Sequence, residues 1–541
     1  MKNFKIPMLA GILAFALASC GGTTQQPDNP KPNVPDVENP DKPVDPDTPV
    51  DPDTPVDPDN PVDPVEGKFR RIESENLKFT YQEINEKSLN GVLPSTGSPN
   101  VLVVPVNFSD LKHEYTFSSS NLNILDAAFN GTKADGTNNY WESCASFYKK
   151  ASHGKLNLNF EICDPWTPDL TSKQFVDLET NDTASGTYAL IEEVTNKITK
   201  NGKSVSFSDD RYDSNGDLFT DAVWFVYNSM NKADQTDYWP YVYWYYPTTE
   251  AQMNNPISAY GNCSVSFLYD GSINGDDAHT IIHETGHLLG LDDYYSYDSN
   301  RLTGQPVVSA IGGLDIMADL TAGSHNPFST TSLGWTNLIV PETSGKITLK
   351  PFDSDNEAII LANPNTFTDG AFAEYLILDY YRPFGLNELD ANVSYQDSGF
   401  YYFSEPGLRI YHVDARLKEA KVNQQTGDIQ YMIYPNLKGQ TLKTYEKDSV
   451  FYQVGHSNTR SRNATGEQGQ DLIAIIPKAN RTVYNHGLVD DSALFKTGDS
   501  FDAKTYSKFF KGEKFNEGSE IPFKVKVESI SKDEMVLDIT L

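Results

Sequence analysis

The chain has 541 residues, too many for one hydrophobic core, so two or more folded regions are expected. Hydrophobic residues make up 38% and aromatics 12%, enough for a large core, and 43 basic against 75 acidic residues give a formal net charge of −32. A surface of that sign repels nucleic acid and no basic stripe offsets it, so no nucleic-acid partner is expected.

Lys2 and Lys5 make a positive start, and Ile6 to Leu17 form an apolar stretch too short to span a bilayer. It ends Leu17-Ala18-Ser19-Cys20-Gly21, with small residues where a cleavage site needs them. This resembles the signal and lipobox of bacterial lipoproteins, in which cleavage precedes the cysteine and the cysteine is acylated. The resemblance implies an export signal over residues 1–20, cleaved before Cys20, and lipidation at Cys20. It also implies an exported bacterial lipoprotein anchored at the outer membrane or cell surface. Residues 21–66 read as a disordered tether. Val44-Asp45-Pro46-Asp47-Thr48-Pro49 repeats with small changes from Val50 and Val56, and twelve acidic residues face two lysines between Pro27 and Glu66. Prolines remove donors and the aspartates repel, so an extended spacer on the order of 100 Å is predicted.

Residues 67–94 are a polar lead segment. Strand-like and helical runs mix from 95 to 340, the pattern of an α+β domain. Beyond Cys20 the cysteines are Cys144, Cys163 and Cys263, which allow one disulfide at most or serve as small buried hydrophobes. Asp213, Asn215, Asp217 and Asp221 place oxygen ligands at alternate positions, with the Phe219 carbonyl between the last two. That spacing resembles a calcium loop, with the glycine earlier than in an EF-hand; the other reading is a polar turn before the strand Ala222 to Val226. Tyr238 to Tyr246 is dense in aromatics and reads as a half-buried strand or as a cleft lining.

His283-Glu284-Thr285-Gly286-His287 is the most informative run. On a helix, His283 and His287 point the same way one turn apart, and two neutral imidazoles so spaced can bind one zinc ion. Glu284 then sits beside the metal, suited to act as a general base. Gly290 lets the chain leave the helix left-handed and turn back, bringing Asp293 in as third ligand. Three protein ligands leave the open position that catalysis needs. His279 has the helical spacing of a ligand, but the Asp293 completion favours the later pair. His325 is placed at the border of the cleft, His412 reads as structural, and His456 has no evident partner.

The motif with Asp293 resembles the extended zinc motif of the metzincin clan. With Asp292-Asp293-Tyr294-Tyr295 it is similar to the immune inhibitor A family of secreted bacterial metallopeptidases. Gly312 to Ala318 resembles that family's Met-turn, implying Met317 under the zinc. His325-Asn326-Pro327-Phe328 with Ser332 to Trp335, Val101 to Asp110, Ser146 to Leu156 and Gly407 to Asp414 resemble further segments. The family often has a histidine after the pair found here as Trp239-Pro240; this chain has Tyr241, so that histidine's role is not carried over.

From 341 to 541 the chain reads as short alternating strands such as Lys346 to Lys350 and Met535 to Ile539, predicting an all-β, sandwich-like region. The fold expected is an α+β metzincin-like catalytic domain followed by that region. The function expected is zinc-dependent endopeptidase cleavage of extracellular proteins or glycoproteins, with one zinc per chain and calcium as a second cation. The competing expectation is a surface adhesion lipoprotein with a non-catalytic zinc site.

Overall fold

Val101 to Val106 are apolar at every position but one, the pattern of a strand buried on both faces rather than one. The computed structural model describes residues 66–86, 93–131, 141–182, 184–194, 197–230, 238–246, 253–269, 277–297, 309–318, 323–393, 402–423, 425–426, 428–432, 436–459, 471–481 and 489–541. The signal-like stretch, Cys20 and the tether as far as Val65 lie outside these residues. The content is mixed α and β, with several sheets.

In the first sheet Asn159–Ile162, Asn100–Val106, Thr220–Tyr227 and Ile257–Ser264 run parallel in that order, and Tyr241–Trp244 closes one edge antiparallel. Successive side chains divide between two cores. Val101, Val103, Trp224 and Val226 face a layer holding the helices Asn123–Asn130, Cys144–Ala151 and His279–Leu288. Leu102, Val104, Val223 and Phe225 face the helices Ser172–Asn181 and Ser185–Val194. Tyr238 to Tyr246 is thus an edge strand with its flanks, and Tyr241, Tyr243 and Trp244 are half-buried.

The second sheet is six-stranded and crosses the boundary expected between residues 340 and 341. Phe69–Ile72 pairs with Asn337–Pro341, which also pairs with Glu357–Ala362; Glu374–Tyr381, Gly407–Asp414 and Ile473–Ile475 follow. One face of it, with Ala358, Ile360, Tyr375, Ile377, Tyr411 and Val413, joins the core beneath the motif helix. The other face, with Ile359, Leu361, Leu376, Leu378, Leu408 and Ile410, meets Ile347, Leu349, Val525, Val527, Leu537 and Ile539. Those belong to the four-stranded sheet Gly345–Leu349, Met535–Thr540, Lys524–Ile530 and Ser500–Asp502. The C-terminal half is therefore rich in strands, with short helices such as Phe352–Asp355 and Glu388–Asn392 among them, and one of its two facing sheets is also the floor of the preceding layer. Each large side chain so buried is worth roughly 1.5–3 kcal/mol relative to exposure, which ties the two halves together.

The lead segment is woven into this arrangement through Phe69–Ile72 and through the helix Tyr81–Glu86, whose Tyr81 ring meets Phe372 edge-on at 5.0 Å. Cys144, Cys163 and Cys263 are free and buried, so of the two readings of these residues they take the hydrophobic one. Among the described residues, no helix is long and apolar enough to cross a membrane.

Candidate metal centre

Ile281, Ile282 and Leu288 are buried on the core side of the helix His279–Leu288, which fixes its rotation. His283 and His287 leave it one turn apart on a common face. The helix ends in a Schellman turn: Leu291 N–H donates to the Gly286 carbonyl at 3.0 Å and Gly290 N–H to that of His287 at 2.9 Å. Gly290 adopts φ +101°, where any side chain is strained, and an added Cβ would also meet Tyr81 at 3.2 Å. Leu93 N–H, from the lead, takes the Leu288 carbonyl at 2.9 Å. The turn carries Asp293 back to the imidazoles.

His283 Nε2 lies 3.1 Å and His287 Nε2 3.4 Å from Asp293 Oδ1. Ligand atoms of the three residues lie within 4.8 Å of one another, a group that could hold a metal ion. Among the described residues no other three metal-ligating side chains converge in this way. His283 Nδ1 is 2.7 Å from the Ile316 carbonyl oxygen and His287 Nδ1 2.8 Å from that of Leu291. A carbonyl only accepts, so each Nδ1 carries the hydrogen, and Nε2 of the neutral ring keeps its lone pair. Asp293 Oδ1 is buried and accepts no well-formed hydrogen bond. A buried carboxylate oxygen without a donor is costly unless a cation meets it. Two lone pairs and one such oxygen fit a divalent metal with an open coordination position.

When no metal is bound, protons take its place. Burial lowers the His287 imidazole, but the Asp293 carboxylate overrides it and pushes the group up to about 10. His283 is raised for the same reason, and Asp293 is held far below the usual carboxylate range despite its burial. A metal must displace these protons. Its apparent affinity is therefore expected to fall roughly tenfold per pH unit for each proton displaced, between about pH 8 and pH 6. Metal titration across that range checks this, and a flat profile would mean that neither imidazole is a ligand.

Glu284 is buried next to His283. Burial pushes its carboxyl up, the two histidines pull it back, and Asp293 adds to the rise. A carboxyl raised in this way is a stronger proton acceptor than a free carboxylate. Met317 lies buried under the helix, so close that a Cβ on Gly286 would collide with its sulfur. The Tyr295 ring is 6.5 Å from that of His283, and the Tyr297 hydroxyl donates to Asp293 Oδ2. Burial, then Asp293, raises both phenols, so both remain protonated donors. Sequence reasoning gave these tyrosines no role; their place just after Asp293 was the only signal.

His325 is a correction. It is fully buried rather than at a cleft border, with Nδ1 2.9 Å from Asp315 Oδ1. Asp315 also accepts from the N–H groups of Met317 and Asn326, so it ties the Met317 turn to the segment that follows. His279 is not among the ligands; its Nδ1 lies 2.5 Å from Asp277 Oδ1 and its ring stacks on Trp141. His412 is structural, 2.9 Å from Glu374, and His456 does have a partner, Asp414 at 3.2 Å. Tyr241 gives its hydroxyl to Glu179.

In the 213–221 loop, Asp213 accepts from the N–H groups of Gly216, Asp217 and Leu218, and Asp217 Oδ1 from that of Phe219. Asp221 Oδ2 accepts from Ser214 N–H at 3.1 Å. Burial, then Asp217 and Asp213, push the Asp221 carboxyl up to about 7 against these hydrogen bonds. Asn215 caps Asp217 N–H at 2.9 Å. No protein-family model matches the chain, and no curated protein matches it.

Proposed function

We propose that the chain is a zinc-dependent endopeptidase. The observation that carries this reading is the buried trio His283, His287 and Asp293 with the buried carboxyl of Glu284 beside it. Bound to the trio, zinc supplies a Lewis acid for the peptide carbonyl and lowers the pKa of water. Glu284 accepts a proton from the attacking water at a carboxylate oxygen and delivers it to the leaving nitrogen as the C–N bond breaks. The Ile316 and Leu291 carbonyls keep both imidazoles in the ligating tautomer.

The parallel sheet with one antiparallel edge, the motif helix over it and Met317 beneath support a metzincin-like catalytic layer of the immune inhibitor A kind. The signal-like and lipobox-like residues through Cys20 support export and a lipid anchor, with extracellular proteins or glycoproteins as substrates. The deciding measurement is cleavage of denatured casein by the zinc-loaded protein and by Glu284→Ala. If both hold zinc and both are inert, the adhesion reading replaces this one.

Calcium is proposed for the 213–221 loop, whose carboxylates do not converge as described and would have to draw together around the ion. Asp221 has a folded pKa raised to about 7, so its stabilising contribution is complete below the ordinary aspartate range and is lost as pH rises through about 7. A cation removes that loss. Millimolar calcium is expected to raise the melting temperature, more at neutral than at acid pH, and Asp217→Ala to abolish the gain. Equal melting temperatures in calcium and in chelator would leave the loop a self-contained polar turn.

A further inference from the structure

The loop that carries the metal ligand Asp293 is not held by its own layer alone. Three bonds reach it from Ser457, Asn458 and Thr459, some 160 residues downstream. Ser457 Oγ donates to Asp292 Oδ2 at 2.6 Å. Asn458 Nδ2 reaches the Tyr294 carbonyl at 3.4 Å. Tyr297 N–H donates to the Thr459 carbonyl at 2.9 Å. The three residues they grip flank the ligand on both sides.

Two of these paths, through Asp292 and Tyr297, continue to Asp293 itself. Asp292 uses its other oxygen, Oδ1, to accept the backbone N–H of Asp293 at 3.0 Å. Tyr297 gives its hydroxyl to Asp293 Oδ2, which leaves Oδ1 for the imidazoles. The backbone and the outer oxygen of the ligand are thus both set by groups anchored on residues 457–459.

The anchor is rigid for its own reasons. Asn458 is buried, donates to the Ile473 carbonyl at 2.8 Å and accepts from Ile473 N–H at 3.1 Å, which fastens it to the six-stranded sheet. Gly455 N–H holds the Arg416 carbonyl at 2.8 Å, and His456 lies 3.2 Å from Asp414. Ser457 Oγ also sits 2.9 Å from Thr459 Oγ1, which orients the hydroxyl.

We propose that Ser457–Thr459 is a positioning strap of the metal centre, acting through Asp292 and Tyr297 on Asp293. It rests on the reading that His283, His287 and Asp293 hold a metal. The C-terminal β-rich half is then a working part of the centre, since the geometry of one ligand is referred to it. Ser457 and Tyr297 are positioning residues: neither is a ligand.

Cobalt(II) is the probe, because its visible bands report ligand geometry apart from catalysis. In the full chain, Ser457→Ala is expected to raise the cobalt dissociation constant about tenfold and to shift the visible bands, within the usual range for lost outer contacts to a metal ligand. Tyr297→Phe should do the same, and Ser457→Thr, which keeps the hydroxyl, should restore both readouts. Circular dichroism monitors folding. Should Ser457→Ala fail to fold, Tyr297→Phe decides alone, since its ring is half exposed and keeps its packing. Wild-type bands and affinity in the folded variants would overturn the strap while leaving the metal reading standing. A wild-type chain that takes up no cobalt would overturn the metal reading and the strap with it.

Discussion

Replacing Glu284 with glutamine is expected to lower peptide cleavage by about 10²- to 10⁴-fold, with metal content at the wild-type level. Glutamine has nearly the same shape and keeps an acceptor oxygen, but it takes up no proton at ordinary pH. Glu284 is buried, so no bulk water stands ready to replace it as base. It neighbours His283 in sequence yet is not one of the converging ligands, so the metal should stay. The loss should fall on kcat, with KM little changed, because the proton moves only in the transition state. Cleavage at the wild-type rate would place the base elsewhere. Loss of metal in this variant would make Glu284 a ligand.

The centre was legible in the sequence because its residues are close in the chain. His287 comes four positions after His283, and helix geometry alone puts them on one face. Gly290 marked the turn, since the φ of +101° it adopts is one that glycine reaches without strain. Asp293 followed from that turn. His325 did not follow: its spacing from Met317 suits a cleft border and a buried partner equally. Only the fold supplies Asp315, whose carboxylate collects the N–H groups around it.

The six-stranded sheet shows the same limit at larger scale. Ala358 to Leu361 is a short continuous apolar run, which announces burial on both faces but not what covers each. Its alternate residues go to two different cores, one shared with the motif helix and one with the C-terminal sheet. A boundary drawn at residue 341, where short alternating strands take over, therefore falls in the strand Asn337–Pro341, where pairing with Phe69–Ile72 and Glu357–Ala362 is continuous. The bond from Ser457 to Asp292 spans 165 residues, and no local pattern could announce it.

Asp293→Ala is expected to weaken metal binding by well over a hundredfold, and Asp292→Ala by about 10- to 100-fold, the range for loss of an outer contact. The two carboxylates are adjacent, but they point to different partners. Asp293 Oδ1 faces both imidazoles, whereas Asp292 is spent on Asp293 N–H and Ser457. The pH dependence should separate them further. Asp293 is what holds a proton on His287 up to about 10, against burial that would otherwise lower it. Without that carboxylate the imidazole gives up its proton at lower pH, so less competition remains between proton and metal. Asp293→Ala should therefore bind weakly but with a flatter pH profile above neutrality, and Asp292→Ala should keep the steep wild-type slope. Metal titrations of both variants at about pH 6, 7 and 8 test this. Stronger binding by Asp293→Ala than by Asp292→Ala would show that Asp292, not Asp293, is the third ligand.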